Sequence, residues 1–599
     1  MAIRAIIAHQ NDDGAKLVLD KMQNIIHRKS LQDKNEARPD IEVINNLNLD
    51  FHIINGSGKW LAQTKLQQDE ILAIFSDNGF GISHSRNFIM TMEKISKKPD
   101  WLSLGNCWMA CVCNSDTRPD DKQQKVAENM AHQIWANYFR QFESRVQSGW
   151  APWGIIRDRP SKDWLSSARE TQERIDKGQF IDKLLIEMGL VYGPDLATSW
   201  MPGLDYFEIT KTQFDLISKL VKASFSFKRA LCVLYKENKF AREIFNIGRP
   251  DFVCNWALQG EQIDPRKVRL DLALTQDGIP MITEIDGTPG GEGMDIGLPR
   301  IYQQVIGEPE IGKLPKNTAN GYYPMANDMV GENALIMFLI TEDSKEYFSE
   351  QKVKANYLAK KNIPVIVCSP EDVEIKGAQV FANGQQVIAW DRFVETYELD
   401  DSKLRKLAEL SEQGFLPAFP PYRHFFWEGK ETWAFLHDKE LGNFWQKHMG
   451  DDFEILKKYS PLTVLPISLR DTKKSEWYRK RASFGDNQCW GSRGVVSGKR
   501  DSATNWRAQY LQDCENLIQK KFPYHVYQKA IQHGKHEFYA YDREQERVLK
   551  QEFFVRLNPW GYNDGKEIHV CGILATLRYD PRVHGARDAL EVPCVIVPD

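Results

Sequence analysis

Residues 266–287 read RKVRLDLALTQDGIPMITEIDG. Two alternating runs flank Asp277-Gly278, a dipeptide that favours a two-residue hairpin turn. Closing the chain there pairs Gln276 with Ile279. Asp271 then falls opposite Glu284, and Arg269 opposite Asp286. Side chains alternate between the two faces of a strand. One face therefore collects Val268, Leu270, Leu272, Leu274, Ile279, Met281 and Ile285, and is predicted to bury. The other collects Arg269, Asp271, Glu284 and Asp286. Like charges directly opposite one another destabilise a sheet. Two readings resolve the conflict: a salt-bridged surface face, or a divalent cation on hard oxygen ligands, which suits magnesium.

Working outward, the chain has 599 residues, enough for on the order of four domains. The formal net charge of −4 gives no global basic field for nucleic acid. No run is long and apolar enough to span a bilayer. The opening MAIRAIIAHQNDDGA lacks the apolar core of a signal peptide. Ten cysteines without framework spacing suit a reducing cytoplasm.

Residues 1–195 read as an N-terminal α/β and helical module. Strands are predicted at Ile3–Ile7, Ile41–Val43, Phe51–Ile54 and Ile71–Phe75. Helices are predicted at Ala15–Ile26 and Ser85–Ile95, then over 121–147 and 161–189. Pro202-Gly203 marks a boundary. Further on, 335–340 and 363–368 are apolar strands around a helix at Glu346–Lys361. That β-α-β unit predicts a small parallel sheet. Asn383-Gly384 marks a hairpin within 377–390.

Two more pieces carry chemistry. In 475–498, SEWYRKRASFGDNQCWGSRGVVSG, a strand ending near Lys480 enters a loop holding Gly485, Gly491 and Gly494. Glycines let backbone N–H groups close on an anion, and a lysine adds charge. The GxxxxGK[ST] order is absent, so this is no Walker A loop. Near the C-terminus, FPYHVYQKAI (522–531) reads as an aromatic strand fit to wall an adenine pocket. Arg556 follows on a strand at 553–557. CGILATLRYDPRVHG (571–585) then carries Arg578. Arginines clamp phosphoryl groups in many transfer enzymes.

In this order the pieces resemble the synthetase domain of glutathionylspermidine synthases, a circularly permuted ATP-grasp fold. The resemblance covers 200–599. Arg269 and Asp271 match the family's RxD strand, and Glu284 with Asp286 its E-x-N strand. Lys439, in HDKELGNFW, stands for the first nucleotide lysine and Lys480 for the second. Gln528 matches the hinge glutamine and Arg578 the late arginine. The β-α-β unit resembles the small Rossmann-like subdomain between the two halves. The resemblance implies an α/β (α+β) fold and an ATP-dependent, ADP-producing carboxylate–amine ligase. Magnesium would sit on Asp271, Glu284 and Asp286, and ATP on Lys439, Lys480, Gly485, Gly491, Gly494 and Gln528. Arg269 and Arg578 would act on the moving phosphoryl group. A phosphotransferase and a non-catalytic nucleotide-binding scaffold remain alternatives. Asp286 replaces the family's Asn, Arg481 stands where a proline is common, and GTPGGEG (287–293) departs from the usual sequence. The carboxylate and amine are therefore left open, as is the oligomeric state.

In the N-terminal region LGNCWMAC (104–111) resembles a thiol-hydrolase segment with Cys107 as nucleophile. Such a thiolate needs a histidine to activate it. The next histidines, His132 and His424, do not suit, so a buried, inert cysteine is expected. Cys107, Cys111 and Cys113 lack a fourth metal ligand. DNGFGISHSRNF (77–88) reads as a glycine turn capping a helix at Ser83 or Ser85.

Overall fold

The computed structural model describes residues 162–191 and 200–599, apart from 470–472, 483–484, 490–492, 545 and 585–587, with side chains from 172 onward. Before residue 162 it describes the backbone of eight short strands. The chain divides into two compact units, Met1–Asp176 and Lys177–Asp599.

In the first unit Ala2–Ile6 pairs antiparallel with Leu61–Lys65. Ile26–Lys29, Ile41–Ile44 and Phe51–Ile54 form an antiparallel three-stranded sheet. Ala73–Ser76, Phe88–Met92 and Cys107–Cys111 form another. The helix expected at Ser85–Ile95 is thus corrected to a strand at 88–92. Its sequence, FIMTM, alternates and mixes aromatic and β-branched residues, and partners on both sides draw it into a ladder. Of the helix predicted at Ala15–Ile26, all but Ile26, which opens a strand, lies outside the described residues, as do the predicted helix at 121–147, the serine caps and Cys113.

The second unit is built on an eight-stranded sheet. Its main path runs Phe207–Thr210, Ala589–Val597, Ile568–Arg578, Arg547–Asn563, Lys267–Leu274, Pro280–Asp286. The helix Lys211–Glu237 covers one face, where Val221 and Phe225 press on Gly561, which has no room for a Cβ. Thr210 caps that helix in a box with Gln213. Gln213 also donates to the Gly278 carbonyl at 2.6 Å, fixing the hairpin tip. A four-stranded antiparallel sheet has the order Thr463–Val464, His525–Lys529, Trp477–Arg481, Val495–Ser497. The helix Ala503–Ile518 packs on its back, with Trp506, Trp477 and Tyr527 as the apolar core.

The small parallel sheet forms as the β-α-β pattern predicts. Ile336–Leu339 lies between Val365–Cys368 and Ala389–Asp391, all parallel, with Phe348–Ala359 as the crossover helix. Asn383 and Gly384 both take positive φ, 48° and 76°, and turn the chain between Gln379–Ala382 and Gln385–Val387.

Candidate functional site

The acidic hairpin reaches its register by an unexpected route. The turn holds three residues, not two: Thr275 N–H donates to the Ile279 carbonyl at 3.0 Å, and Gly278, at φ 72°, donates to Thr275 at 2.9 Å. A positive-φ glycine closing a three-residue loop is the next commonest hairpin connection. Leu274 therefore pairs with Pro280 and Leu272 with Ile282, one residue off the expected register. A bulge at Thr283 then restores it, so Asp271 does face Glu284, and Arg269 does face Asp286. Near the tip the apolar face changes accordingly. Ile282 is fully buried, whereas Ile279 is exposed and Met281 only half-buried, correcting the expected core.

The bulge also joins the two sheets. An extra residue leaves the regular ladder and frees its backbone groups. The Thr283 carbonyl accepts from Lys480 Nζ at 3.2 Å and Gln528 Nε2 at 3.4 Å, both on the four-stranded sheet. Between the sheets lies a cavity of about 320 Å³. The large sheet contributes Arg269, Asp271, Glu284, Asp286, Arg556 and Asn558. The smaller contributes Tyr478, Lys480, Val495 and Gln528.

Charge at the hairpin is met mostly by the protein's own cations. Asp271 accepts from Arg269 Nε at 3.0 Å, Asn558 Nδ2 at 2.8 Å and Arg556 Nη1 at 3.0 Å. Asp286 pairs with Arg269 Nη2 at 2.8 Å and accepts from Thr288 N–H at 3.0 Å. Glu284 pairs with Lys430 Nζ at 2.8 Å. Burial pushes the Asp271 carboxyl up, but Arg269 and Arg556 outweigh it and hold it below the usual carboxylate range. Burial raises Asp286, against Arg269 and with help from the Asp271 and Glu284 charges.

Lys480 is different. It is 8% exposed, and no carboxylate lies in ion-pair contact with it among the described residues. Burial lowers its ammonium to about 8, against the pull of Glu284. Trp477–Arg481 alternates, so Lys480 and Tyr478 face the cavity while Arg479 and Arg481 face away.

The structure brings Arg269, Asp271, Glu284, Asp286, Lys480 and Gln528 to one cavity and leaves Lys439, Gly485, Gly494 and Arg578 away from its wall. Lys439 is exposed at the start of a short 3-10 helix. The buried lysine behind Glu284 is Lys430. Arg578 sits one layer back: it pairs with Asp588 at 2.8 Å and bonds His584, which lines the cavity. In its place Arg556 and Arg582 line the wall beside Arg269. Gly485 packs against Phe522, Gly494 against Arg481, and Gly491 lies outside the described residues. The oxygens of Asp271, Glu284 and Asp286 do not all fall within 4.8 Å of one another; among the described residues only the group Asp564, Glu567 and His569 meets that test.

Three residues left out of the predicted site had a signal. Arg556 and Asn558 stand at i and i+2 of one strand, so they share a face. Lys430 is a lone cation inside the aromatic run HFFWEGKETWAF. Nothing local marked Glu395 or Glu591, which also line the cavity. Burial raises Glu395 to about 8, helped by Glu428, and burial raises Glu591 to about 7.

No family model matches the chain, and no curated protein matches it. Solved structures do. A glutathione synthetase-like effector from Globodera pallida, in its apo form, aligns at a TM-score of 0.50 and 13% identity, over 71% of this chain and 97% of that one. The likeness is one of fold. A protein from Methylobacillus flagellatus KT, provisionally named gamma-glutamylcysteine synthetase, aligns at 0.30 and 11% identity, over 58% of this chain and 85% of that one. No helix among the described residues is long and apolar enough to cross a membrane.

Proposed function

We propose that the chain is an ATP-dependent carboxylate–amine ligase with a circularly permuted ATP-grasp fold, forming an amide bond through an acyl phosphate. The observation that carries this reading is Lys480. A buried ammonium held, among the described residues, by a backbone carbonyl alone, at the seam of two sheets, is a site for an anion. The fold likeness to a glutathione synthetase-like effector supports it.

In this reading the phosphates of ATP lie on Lys480, and Gln528 holds the edge of the base. Lys430 takes the place first given to Lys439, acting through Glu284. Arg269 and Arg556 neutralise the transferring phosphoryl group, a part first given to Arg269 and Arg578. Glu284 and Asp286 suit a magnesium ion, because hard carboxylate oxygens shared with phosphate are its usual ligands. Asp271, already bonded to Arg269, Arg556 and Asn558, positions those groups instead. When bound, the ion neutralises phosphate charge. The substrates are a small carboxylate and an amine.

The test is nucleotide turnover with pooled amino acids, polyamines and short peptides, followed by product mass. ADP, phosphate and a coupled amide are expected. AMP and pyrophosphate would overturn the reading. ADP and phosphate with no coupled product from any amine would make the enzyme a phosphotransferase.

A further inference from the structure

The other face of the Lys480 strand builds a second pocket. Arg479 and Arg481 point away from the nucleotide cavity, toward the helix Ala503–Ile518. With Arg493, Gln509, Gln512 and Asn516 they line a space of about 280 Å³. Three arginines border it, against one lining carboxylate, Asp513. Asp513 is already engaged by Arg479 at 2.6 and 3.1 Å, by Tyr527 at 2.9 Å and by His525 at 2.8 Å.

The arginines keep donors in reserve. Arg481 reaches Asp486 through Nη2 and stacks on Phe522 at 4.9 Å. Its Nε is buried with no hydrogen-bond partner among the described residues. A guanidinium offers five N–H donors and no acceptor. Arg493 is exposed at the mouth, and its Nη1 makes a long 3.4 Å bond to the Asn487 carbonyl. Around them Gln488, Gln509, Gln512 and Asn516 supply neutral amides, which recognise oxygen without adding negative charge. Planar guanidinium forks match phosphate and carboxylate oxygens bidentately. The volume exceeds that of a single oxyanion, so there is room for a small organic body behind the charged group.

We propose that this pocket binds a small phosphorylated metabolite, with Arg481 and Arg493 holding the phosphate and the glutamines of 503–518 contacting its body. The site stands independently of the ligase reading. It is coupled to the cavity all the same, because Arg479 and Arg481 flank Lys480 on one strand. An occupant that draws Arg481 back moves the residue next to the lysine.

The experiment is calorimetric titration of the full chain with inorganic phosphate, and separately with Mg-ATP, at low ionic strength. Saturable phosphate binding is expected in wild type and in Lys480→Ala. Arg493→Ala should weaken it by roughly tenfold or more, the scale of a lost charge-assisted bond. Gln512→Glu, an exposed change that adds a carboxylate at the wall, should weaken it similarly while the fold is kept. No saturable phosphate binding would overturn the proposal. So would binding lost in Lys480→Ala but kept in Arg493→Ala, since the phosphate would then sit in the nucleotide cavity. Mg-ATP affinity unchanged by Lys480→Ala would overturn the nucleotide reading alone.

Discussion

One face of the strand Lys267–Leu274 serves two charge clusters that behave in opposite ways. At its start, Lys267 joins Lys354, Glu292 and Asp391 in a closed set. Lys267 pairs with Asp391 at 2.8 Å and Glu292 at 3.5 Å, and Lys354 with Asp391 at 2.7 Å and with Glu292. Tyr562 completes it by donating to Glu292 at 2.5 Å. All four charged side chains are at most 1% exposed. Two and four residues on, Arg269 and Asp271 open onto the cavity, where Asp286 and Glu284 keep about a quarter of their surface. Among the described residues, Lys480 there has no carboxylate in contact. A buried set with as many positive as negative charges, each paired, holds structure, here tying the small parallel sheet to the large one. A set bordered by a cavity, with a buried lysine left over, has room for a ligand's charge.

The comparison breaks most visibly in the closed set. Lys354→Ala leaves Glu292 and Asp391 sharing one lysine in the core, so urea unfolding should show a loss of about 3–5 kcal/mol. Burial raises the Asp391 carboxyl, but Lys267 and Lys354 outweigh it and hold it below its ordinary value. Its contribution is therefore present above the unfolded carboxylate pKa and lost as pH falls through the folded one. An acid titration in which Lys354→Ala keeps the full pH-dependence of wild type would remove Asp391 from that role.

The open set should fail in chemistry rather than stability. Arg556→Ala should lower ADP release by roughly 10²–10³-fold, the scale of losing one transition-state donor. Arg578→Ala should act far less, through His584 and Arg582, which it bonds behind the wall. Steady-state rates on the two variants decide which arginine serves the phosphoryl group. Equal losses would return Arg578 to the site.

Lys480→Ala separates the clusters more finely. Mg-ATP affinity should drop by about tenfold or more, while stability holds or rises, because a buried ammonium without an ion-pair partner is removed. The pH sign follows from the lowered pKa. The unfolded lysine keeps its proton to near 10.5, whereas the folded one loses it near 8. Stability of wild type relative to Lys480→Ala should thus rise between those values. A flat difference would mean the lysine is satisfied in the fold.

Lys439→Ala should do least. The residue is exposed and off the cavity wall. Affinity should stay within error and stability within about 0.5 kcal/mol. A clear loss of Mg-ATP binding would instead bring the 3-10 helix to the nucleotide.

How much was legible follows from how local each feature is. Period-two alternation placed Arg269, Asp271, Glu284 and Asp286 on one face, because a strand's geometry fixes this from adjacent residues. Asn383-Gly384 and the β-α-β pattern carried their own turn and crossover chemistry. The three-residue turn and the Thr283 bulge were not legible. Their shifts cancel, so the outer register came out right although the tip and its core residues did not.

Ion pairing was the least local feature. Sequence determined that carboxylates and arginines would crowd one hairpin face. Only the tertiary structure decided that Arg556, 285 positions from Asp271, meets it, and that Lys430 rather than Lys439 stands behind Glu284. Side chains on neighbouring strands are brought together by sheet order, and sheet order is set by how the whole apolar surface packs. A charge in the sequence therefore names its chemistry, while its partner is chosen by the core.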